Sequence, residues 1–243
     1  MNTMKTNESG RSMIEMLGVL AIIGVLSVGG IAGYSKAMNK FKTNKVADNV
    51  SMIVANIKTL YAQQKTYDGL TTANAITLGV VPDELVKTEN SAKVLRNAYN
   101  GEVEIHTAGS TTATNGQANT TQDKKAFVIY FAGLSKEACI TLATNDWGSS
   151  YSSGLIAIQA ASKSSATLKA GLDDVLIGAN SSAVLTDTPG SEKAIAMPAA
   201  TGVNKAEGQP DVSQVPVPMP VSVAAKACAC NEGNTCSLTW KYY

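Results

Sequence analysis

The sequence predicts an α+β protein in which a long N-terminal helix precedes a head made of strands and short helices. Two observations predict the helix. An uncharged apolar run covers residues 16–35, and the apolar residues that follow recur at helical spacing as far as Leu60. A third observation predicts the head: beyond residue 67, short apolar segments alternate with stretches rich in Gly, Asn, Ser and Thr, which is typical of strands and turns.

The composition fits a secreted or assembled protein better than a cytosolic enzyme. The chain has 243 residues and a formal net charge of +1, and only 16% of its residues are charged. This length suffices for one domain with a hydrophobic core and some appendages. Because a net charge near zero provides no long-range attraction to nucleic acid, we expect no nucleic-acid partner.

Residues 16–35 form a segment long enough to cross a membrane. They carry no charge, and a helix of twenty residues spans about 30 Å, the thickness of the hydrocarbon core of a bilayer. A cleavable secretory signal usually has a shorter apolar region followed by a small-residue cleavage site, and no such site follows this run. We therefore expect the segment to stay in the mature protein.

A short polar leader, residues 1–10, precedes the apolar run and ends in Gly10. Arg11 and Glu15 follow, so a carboxylate lies near the start of a membrane helix. At the centre of a bilayer such a charge would cost up to about 2.5 to 3.5 kcal/mol. The residues alone allow Glu15 to lie at the lipid headgroups or to pair with Arg11 one turn earlier.

The helix continues beyond the apolar run with one apolar face. Its later apolar residues are spaced alternately four and three apart: Val46, Val50, Ile53, Ile57 and Leu60. We expect the helix to cover residues 11–66 and to stop near Gly69. Its first part, residues 11–35, would lie in the membrane or in the core of an assembly, and its second part would pack against a globular head, residues 67–243.

The head contains several predicted elements. Residues 81–85 form the start of a short helix with Pro82 in its first turn, residues 126–131 form a strand, and Ser135 caps a helix that carries Cys139. Further strands are expected at residues 154–160 and 236–243. Most of the seven prolines lie in residues 186–226, and this composition favours an extended polyproline segment, either a connector or a surface loop that contacts a partner.

The four cysteines predict two disulfides in an oxidising compartment. A metal site is the alternative, but Cys228 and Cys230 lack C-x-x-C spacing and His106 is the only histidine. Two residues that are two apart in a strand share a face and do not easily bond each other. The cysteines therefore pair either as Cys139 with Cys228 and Cys230 with Cys236, or as Cys139 with Cys230 and Cys228 with Cys236.

The combination of Gly10, Glu15 and the long uncharged helix resembles the processing site of type IV prepilins and of the pseudopilins of secretion systems. The resemblance implies that a prepilin peptidase cuts between Gly10 and Arg11 and methylates the new amino terminus on Arg11. Glu15 then becomes the fifth residue of the mature chain, with a role in assembly. Most family members have an apolar residue where this chain has Arg11. In a stack of helices, the amine of one subunit would neutralise the buried Glu15 of its neighbour.

The order of motifs in the head is similar to that of type IVb pilins and of the thin pili of conjugative plasmids. "VPDELV", "NAYNGEVEI", a strand and a cysteine-bearing helix follow one another within residues 78–147, and the likeness is essentially absent from 148 to about 225. The resemblance implies the type IV pilin fold, with a long N-terminal α-helix packed on an antiparallel β-sheet head that contains disulfides. It also implies that residues 236–243 lie in the central sheet.

The same resemblance implies a structural subunit of a type IVb-like pilus, which polymerises with itself for adhesion, aggregation or conjugation. The implied partners are the prepilin peptidase and an inner-membrane assembly platform. The head would be periplasmic while one helix spans the inner membrane, and extracellular after assembly. Lys36 and three further lysines after the apolar run favour the opposite orientation under the positive-inside rule, but the cysteines and the cleavage motif favour an external head.

The sequence gives no reason to expect an enzyme. It contains no G-x-x-x-x-G-K-[ST] phosphate loop, no G-x-S-x-G elbow and no H-E-x-x-H motif. We therefore expect no catalytic residue, no cofactor and no metal. Two alternatives to the pilin remain: a pseudopilin of a type II secretion-type machine, and a membrane-anchored periplasmic enzyme.

Overall fold

The computed structural model describes most of the chain, namely residues 13–109, 123–148, 153–169, 172–173, 193–198, 215–230 and 235–243. The chain divides into two compact units, Met1–Phe41 and Lys42–Tyr243. The first helix, α1 (Met13–Leu60), contributes residues to both units. The predicted leader and the predicted cleavage site at Gly10 and Arg11 lie outside the described residues.

In the first unit, α1 is exposed on every side. Residues 13–37 are all exposed, whichever face of the helix they occupy. One 18-residue window of α1 has a mean hydropathy of 2.2 and none of it is buried, so this helix is long and apolar enough to cross a membrane. A helix that is hydrophobic all round suits a membrane or the core of a larger structure. The prediction that the apolar run is helical is confirmed.

In the second unit, the remainder of α1 has one fully buried face. Val46, Val50, Ile53 and Ile57 have no exposed surface, and they are the positions that the four-and-three spacing predicts. Leu60, expected on the same face, is 44% exposed because the helix ends there.

The helix ends six residues before the predicted end at residue 66. After Leu60 the chain turns, and the amide of Gln64 donates a hydrogen bond of 2.8 Å to the carbonyl of Tyr61. The turn brings the ring of Tyr67 to 5.3 Å from that of Tyr61 and to 4.8 Å from that of Phe127 in the sheet. Aromatic packing against the sheet, rather than the Gly69 signal, therefore sets the end of the helix.

A six-stranded sheet forms the centre of the second unit. Its strands are β3 (Val103–Ala108), β4 (Ala126–Leu134), β5 (Leu155–Ala161), β6 (Lys193–Met197), β7 (Val215–Pro216) and β8 (Cys236–Tyr242). They lie in the order β3-β4-β8-β5-β6-β7, and each neighbouring pair is antiparallel except β6 and β7. The last strand thus lies between β4 and β5, which confirms the central position expected for residues 236–243.

The two faces of this sheet are covered differently. Alternate residues of β4 and β8, such as Phe131 and Trp240, join Ile53 of α1 in the main hydrophobic core. The intervening residues face the other side, where Tyr130 packs with Leu168. Since β4 is buried on both faces, it has the nearly continuous apolar sequence from which the strand was predicted.

Shorter elements surround the sheet, and some were not predicted. The helix capped by Ser135 is present as α3 (Lys136–Ala143), in which Ser135 Oγ accepts the Ala138 amide at 3.2 Å. A single 3-10 turn, Asp83–Leu85, follows Pro82. Among the elements that were not predicted are helix α2 (Thr72–Thr77), the hairpin of β1 (Val86–Glu89) and β2 (Ala92–Leu95), and the short helix α4 (Ala166–Lys169).

The segment over residues 186–226, predicted to be extended, is extended in two of the parts that the structure describes, residues 193–197 and Val215–Pro216, which are strands β6 and β7 of the sheet rather than free polyproline. The prediction is wrong at its C-terminal end, where Val221–Ala227 form helix α5 directly after Pro220. Pro220 lies directly before this helix, and proline is tolerated at the start of a helix because the amide hydrogen that it lacks would have no partner there. The alanines that follow are good helix formers, and Ala224 and Ala227 are fully buried.

The turn before β3 fixes that strand against β4. Asn97 Oδ1 accepts the amides of Tyr99 and Gly101, and Asn97 Nδ2 donates to the carbonyl of Ala132 at 2.7 Å. A Cβ at position 101 would collide with the carbonyl of Ala132, so this close approach requires glycine. The "NAYNG" motif therefore holds the turn against strand β4 of the sheet.

Candidate functional site

Glu15 lies in the first turn of α1 and is exposed. It is the only charged residue between Met13 and Lys36. Its neighbours Met13, Ile14 and Leu17 are 61% exposed or more, so the carboxylate is surrounded by uncovered apolar side chains. Among the described residues, Glu15 has no ion-pair partner.

The apolar surface around Glu15 is large and continuous. The large side chains that are at least half exposed in this part of α1 are Met13, Ile14, Met16, Leu17, Val19, Leu20, Ile22, Ile23, Val25, Leu26, Val28, Ile31 and Tyr34. A Cβ added at Gly29 or Gly33 would meet nothing within 4 Å. Exposed apolar patches of this kind mark surfaces that contact lipid or other proteins.

The lysines that follow the apolar run differ in their surroundings. Lys36 and Lys40, in the first unit, are exposed. In the second unit, Lys45 forms an ion pair of 2.6 Å with Glu84, and the Lys42 amine lies 5.5 Å from the ring centre of Tyr99. Lys42 and Lys45 therefore hold the head to the second part of α1.

All four cysteines form disulfides, and these tie the C-terminal part of the head together. Cys139 in α3 is bonded to Cys228 at the end of α5, with their Cα atoms 5.8 Å apart. Cys230 is bonded to Cys236, the first residue of β8, with a Cα distance of 5.3 Å. This is the first of the two pairings that the sequence allows. The sulfurs that come near enough together to hold a metal are disulfide sulfurs rather than thiolates.

The face of the sheet opposite α1 carries a polar cluster that the sequence did not predict. The amine of Lys241 has no exposed surface and donates to the carbonyls of Leu172 and Asp173, at 2.7 and 2.8 Å. His106 lies in β3 with its Nε2 2.7 Å from Asp173 Oδ1. These contacts fasten residues 172–173 over the sheet, which is a structural role.

Lys169 extends this cluster at the edge of the sheet. Its amine lies 2.7 Å from Glu102 and 2.6 Å from Glu104. Burial opposes the charge of Lys169, but the hydrogen bonds to Glu102 and Glu104 outweigh it and raise the pKa of this lysine. The contacts fix α4 to β3.

An open cleft of about 290 Å³ lies at the C-terminal end of α1. Its lining includes Lys58, Tyr61, Tyr67, Lys125 and Tyr243. Burial lowers the pKa of Lys58 and raises the pKa values of Tyr61 and Tyr67. The residues that line this cleft include no serine, cysteine or histidine, so the described part of the chain shows no nucleophile–base pair there.

The sequence model of the Bundlin family matches residues 35–197, which is more than half of the chain. The chain belongs to the bundlin family. The match continues past residue 147, beyond the range in which the motifs alone resembled type IVb pilins. It does not include the segment from Gly10 to Glu15, so the family match and the processing motif are separate observations.

Two relatives from Escherichia coli, strain E2348/69 of O127:H6 and O111:H-, are each named as the major structural subunit of bundle-forming pilus. Each is 29% identical to this bundlin-family chain over 146 residues, which is 60% of this chain and 69% of the relative. The resemblance of the sequence to type IVb pilins is thereby confirmed.

Among solved structures, the chain is similar to TcpA, a type IV pilin from Vibrio cholerae El Tor biotype. The TM-score is 0.45 at 18% identity, over 83% of this chain and 99% of that one. A type IVb pilin from Salmonella typhi gives a TM-score of 0.41 at 15% identity, over 80% of this chain and 95% of that one. This bundlin-family chain has the long N-terminal helix, the mainly antiparallel sheet and the disulfides that the resemblance implied.

Proposed function

We propose that this chain is a structural subunit of a type IVb-like pilus, processed by a prepilin peptidase and polymerised into an extracellular filament. The observation that carries the proposal is an apolar helix that is exposed on every side in a chain of the bundlin family. Such a surface is not stable in water, so lipid or other copies of the chain must cover it. A pilin uses the two in succession: the inner membrane before assembly and the filament core afterwards.

Processing is proposed to occur between Gly10 and Arg11, with methylation of the new amino terminus. The polar leader ends in glycine directly before the apolar helix, and Glu15 then becomes the fifth residue of the mature chain. Cleavage places a positive amine at the head of the helix, four residues from a carboxylate that has no described partner. The amine of one subunit neutralises Glu15 of a neighbour, which favours one register of the stacked helices.

The head is proposed to lie on the periplasmic side of the inner membrane before assembly. Two disulfides in the head support an oxidising compartment. Lys45 has a partner within the head, which leaves Lys36 and Lys40 as the exposed lysines beside the apolar run. As evidence for the orientation of the head, the two disulfides count for more than these two exposed lysines. An inner-membrane assembly platform then transfers the subunit into the filament, which serves adhesion, aggregation or conjugation.

The pseudopilin alternative has less support. It shares the leader and the helix with a pilin, but the curated relatives of this chain are named as major structural subunits of a pilus. The third candidate, a membrane-anchored enzyme, has no support, because the chain belongs to a family of structural pilins. The chain is a structural subunit and not an enzyme.

The test is to delete the gene and to examine surface filaments by electron microscopy. The deletion strain should lose a class of filaments, and antibody against the head should label those of the parent. N-terminal sequencing of purified filaments should begin at a methylated Arg11, followed by Ser-Met-Ile-Glu. Substitution Gly10→Val should abolish processing, whereas Ser9→Ala should leave it intact. Unchanged filaments after deletion, or a mature chain that begins at Met1 or after Ala37, would overturn the proposal.

A further inference from the structure

The two disulfides of the head form one cluster of sulfur atoms. The Sγ atoms of Cys139, Cys228 and Cys236 all lie within 4.8 Å of one another. Cys236 is bonded to Cys230, whereas Cys139 is bonded to Cys228. The Sγ of Cys236, from the Cys230–Cys236 disulfide, is therefore close to both sulfurs of the Cys139–Cys228 disulfide. The Sγ of Cys236 also lies 3.4 Å from the carbonyl oxygen of Cys228.

The four cysteines differ in their access to solvent. Cys139, Cys228 and Cys236 have no exposed surface. Cys230 is only partly buried, at the edge of the same hydrophobic core. A thiol that approaches from solvent therefore meets Cys230 first. It has no direct route to Cys139 or Cys228 in the folded head.

We propose that Cys230 is the site at which an external dithiol of the thiol–disulfide oxidoreductase class acts, and that Cys236 relays the exchange to the buried Cys139–Cys228 disulfide. In the first step, a thiolate of the external dithiol attacks Sγ of Cys230. The Cys230–Cys236 bond breaks, a mixed disulfide forms on Cys230, and Cys236 leaves as a thiolate.

In the second step, the Cys236 thiolate attacks Sγ of Cys228, its neighbour in the cluster. The Cys139–Cys228 bond breaks, a Cys236–Cys228 bond forms, and Cys139 leaves as a thiolate that takes a proton from solvent. The second thiol of the external dithiol then resolves the mixed disulfide, which releases Cys230 as a thiolate. Cys230 attacks Cys236, re-forms the Cys230–Cys236 bond and releases Cys228.

The net reaction transfers two electrons from the external dithiol to the buried disulfide. The dithiol becomes a disulfide, Cys139 and Cys228 become thiols, and Cys230–Cys236 is restored. Run in reverse with an external disulfide as oxidant, the relay oxidises Cys139 and Cys228 after the sheet has closed over them. The relay is a property of the head alone and goes beyond the proposed role in a filament, since it operates whether or not the chain polymerises.

Two single variants provide a matched test, because each removes the same disulfide and leaves a different thiol. Cys230→Ser leaves Cys236 next to the buried disulfide, whereas Cys236→Ser leaves Cys230. The full-length mature protein in detergent is treated with dithiothreitol under native conditions, quenched with acid, alkylated and analysed by peptide mapping. Net reduction of Cys139 and Cys228 should be at least about tenfold faster in the wild type than in either variant, because only the wild type has both the Cys230–Cys236 bond at which the external dithiol enters and the Cys236 thiolate that relays the exchange.

Mapping should also find Cys236 bonded to Cys228 or Cys139 in Cys230→Ser before any reductant is added. Reduction of Cys139–Cys228 that is as fast in both variants as in the wild type, or the absence of any bond to Cys236 in Cys230→Ser, would overturn the relay. If near-ultraviolet circular dichroism shows that either variant is misfolded, the relay is tested instead by partial reduction of the wild-type protein. With glutathione as a monothiol probe, the mixed disulfide should form on Cys230 and a Cys236–Cys228 species should accumulate. Independent reduction of the two disulfides without that species would refute the proposal.

Discussion

The two parts of α1 differ in what covers them, although they belong to one helix. From Met13 to Ala37 every residue is exposed, and the apolar residues lie on all sides. From residue 42 onwards α1 has one buried face, on which Val46, Val50, Ile53 and Ile57 are completely buried. The sequence shows the same contrast as a change from a continuous apolar run to a period of about 3.6 residues.

The contrast shows how to distinguish a surface that a chain covers itself from one that other molecules cover. A periodic stripe means that the chain supplies its own core, since only one face needs to be buried. A helix that is apolar all round needs partners on all sides, which a single head cannot supply. We therefore expect the first part of α1 to determine membrane insertion and assembly, and the second part to determine the stability of the head.

The largest expected effect is on assembly, through Glu15. Glu15→Ala should leave membrane insertion intact, because it removes a charge from an apolar segment. It should abolish or strongly reduce filaments, because the amine of a neighbouring subunit loses its partner. Sheared filaments are quantified by immunoblotting and counted by electron microscopy, and membrane fractions report insertion.

The matched control for Glu15 is Asp48→Ala, which removes an exposed carboxylate from the second part of the same helix. This variant should assemble normally. Normal filaments in Glu15→Ala would instead support a headgroup location for that carboxylate. Loss of filaments in both variants would mean that assembly does not distinguish the two parts of α1.

The next largest effect concerns the covalent ties of the head, which have no counterpart in the first part of α1. The Cys139–Cys228 disulfide closes a loop with a sequence separation of 89, and Cys230–Cys236 one of 6. In the chain-entropy model the long loop stabilises the head by up to about 4 to 5 kcal/mol and the short one by up to about 2 kcal/mol. Guanidinium unfolding of the double alanine variants of each pair should show this ranking. A larger loss from Cys230→Ala/Cys236→Ala would contradict it.

The most direct comparison makes one substitution at two places on α1. Ile53 is fully buried and Ile23 is 53% exposed. Ile53→Ala should lower the free energy of unfolding of the head by about 2 to 5 kcal/mol, because it leaves a cavity. Ile23→Ala should change it by less than about 0.5 kcal/mol. Both tryptophans, Trp147 and Trp240, lie in the head, so their fluorescence during unfolding in detergent reports the head alone.

If Ile53→Ala and Ile23→Ala lowered the free energy of unfolding of the head equally, the two parts of the helix would not have separate roles. A loss of filaments in Ile23→Ala without a change in head stability would support separate roles. Met52→Ala, at a position 49% exposed on the same turn of the helix as Ile53, serves as a control for helix propensity within the head.

The elements that the sequence predicted well are those whose signal is local. The four-and-three spacing from Val46 to Ile57 and the Ser135 cap depend on neighbours along the chain, and both were found as predicted. The apolar run of β4 was also sufficient, because a strand buried on both faces needs no alternation. The position of residues 236–243 in the sheet came from the family resemblance and not from any spacing.

What the sequence could not predict depends on distant residues. In β8, Ser237, Thr239 and Lys241 alternate with apolar residues, which normally indicates a face in water. The structure buries all three, because residues 168 and 172–173 lie over that face. The early end of α1 has a similar cause, since the contact of Tyr67 with Phe127 joins residues far apart in the chain. The helix after Pro220 was missed because proline composition outweighed the alanines that follow it.

The smallest expected effect is on the surface of the head, in the hairpin of β1 and β2. Arg96 donates to both carboxylate oxygens of Glu89, from Nε at 2.8 Å and from Nη2 at 2.6 Å. The hydrogen bond from Arg96 lowers the pKa of Glu89 below its ordinary value of 4.5. A carboxyl group whose pKa is depressed by folding stabilises the folded state above its unfolded pKa, and this contribution is lost as the pH falls through the depressed value.

Glu89→Gln should therefore lower the unfolding midpoint of the head slightly at neutral pH, and the difference from wild type should diminish as the pH falls through the depressed pKa of Glu89. Because both groups are at the surface, high salt should weaken the effect. In an Arg96→Gln background, where the carboxylate has lost its partner, Glu89→Gln should have no pH-dependent effect. A difference as large as that of Ile53→Ala would mean that a surface ion pair contributes as much as the buried face of α1. The stability of the head would then depend on surface charge as much as on the burial of apolar side chains.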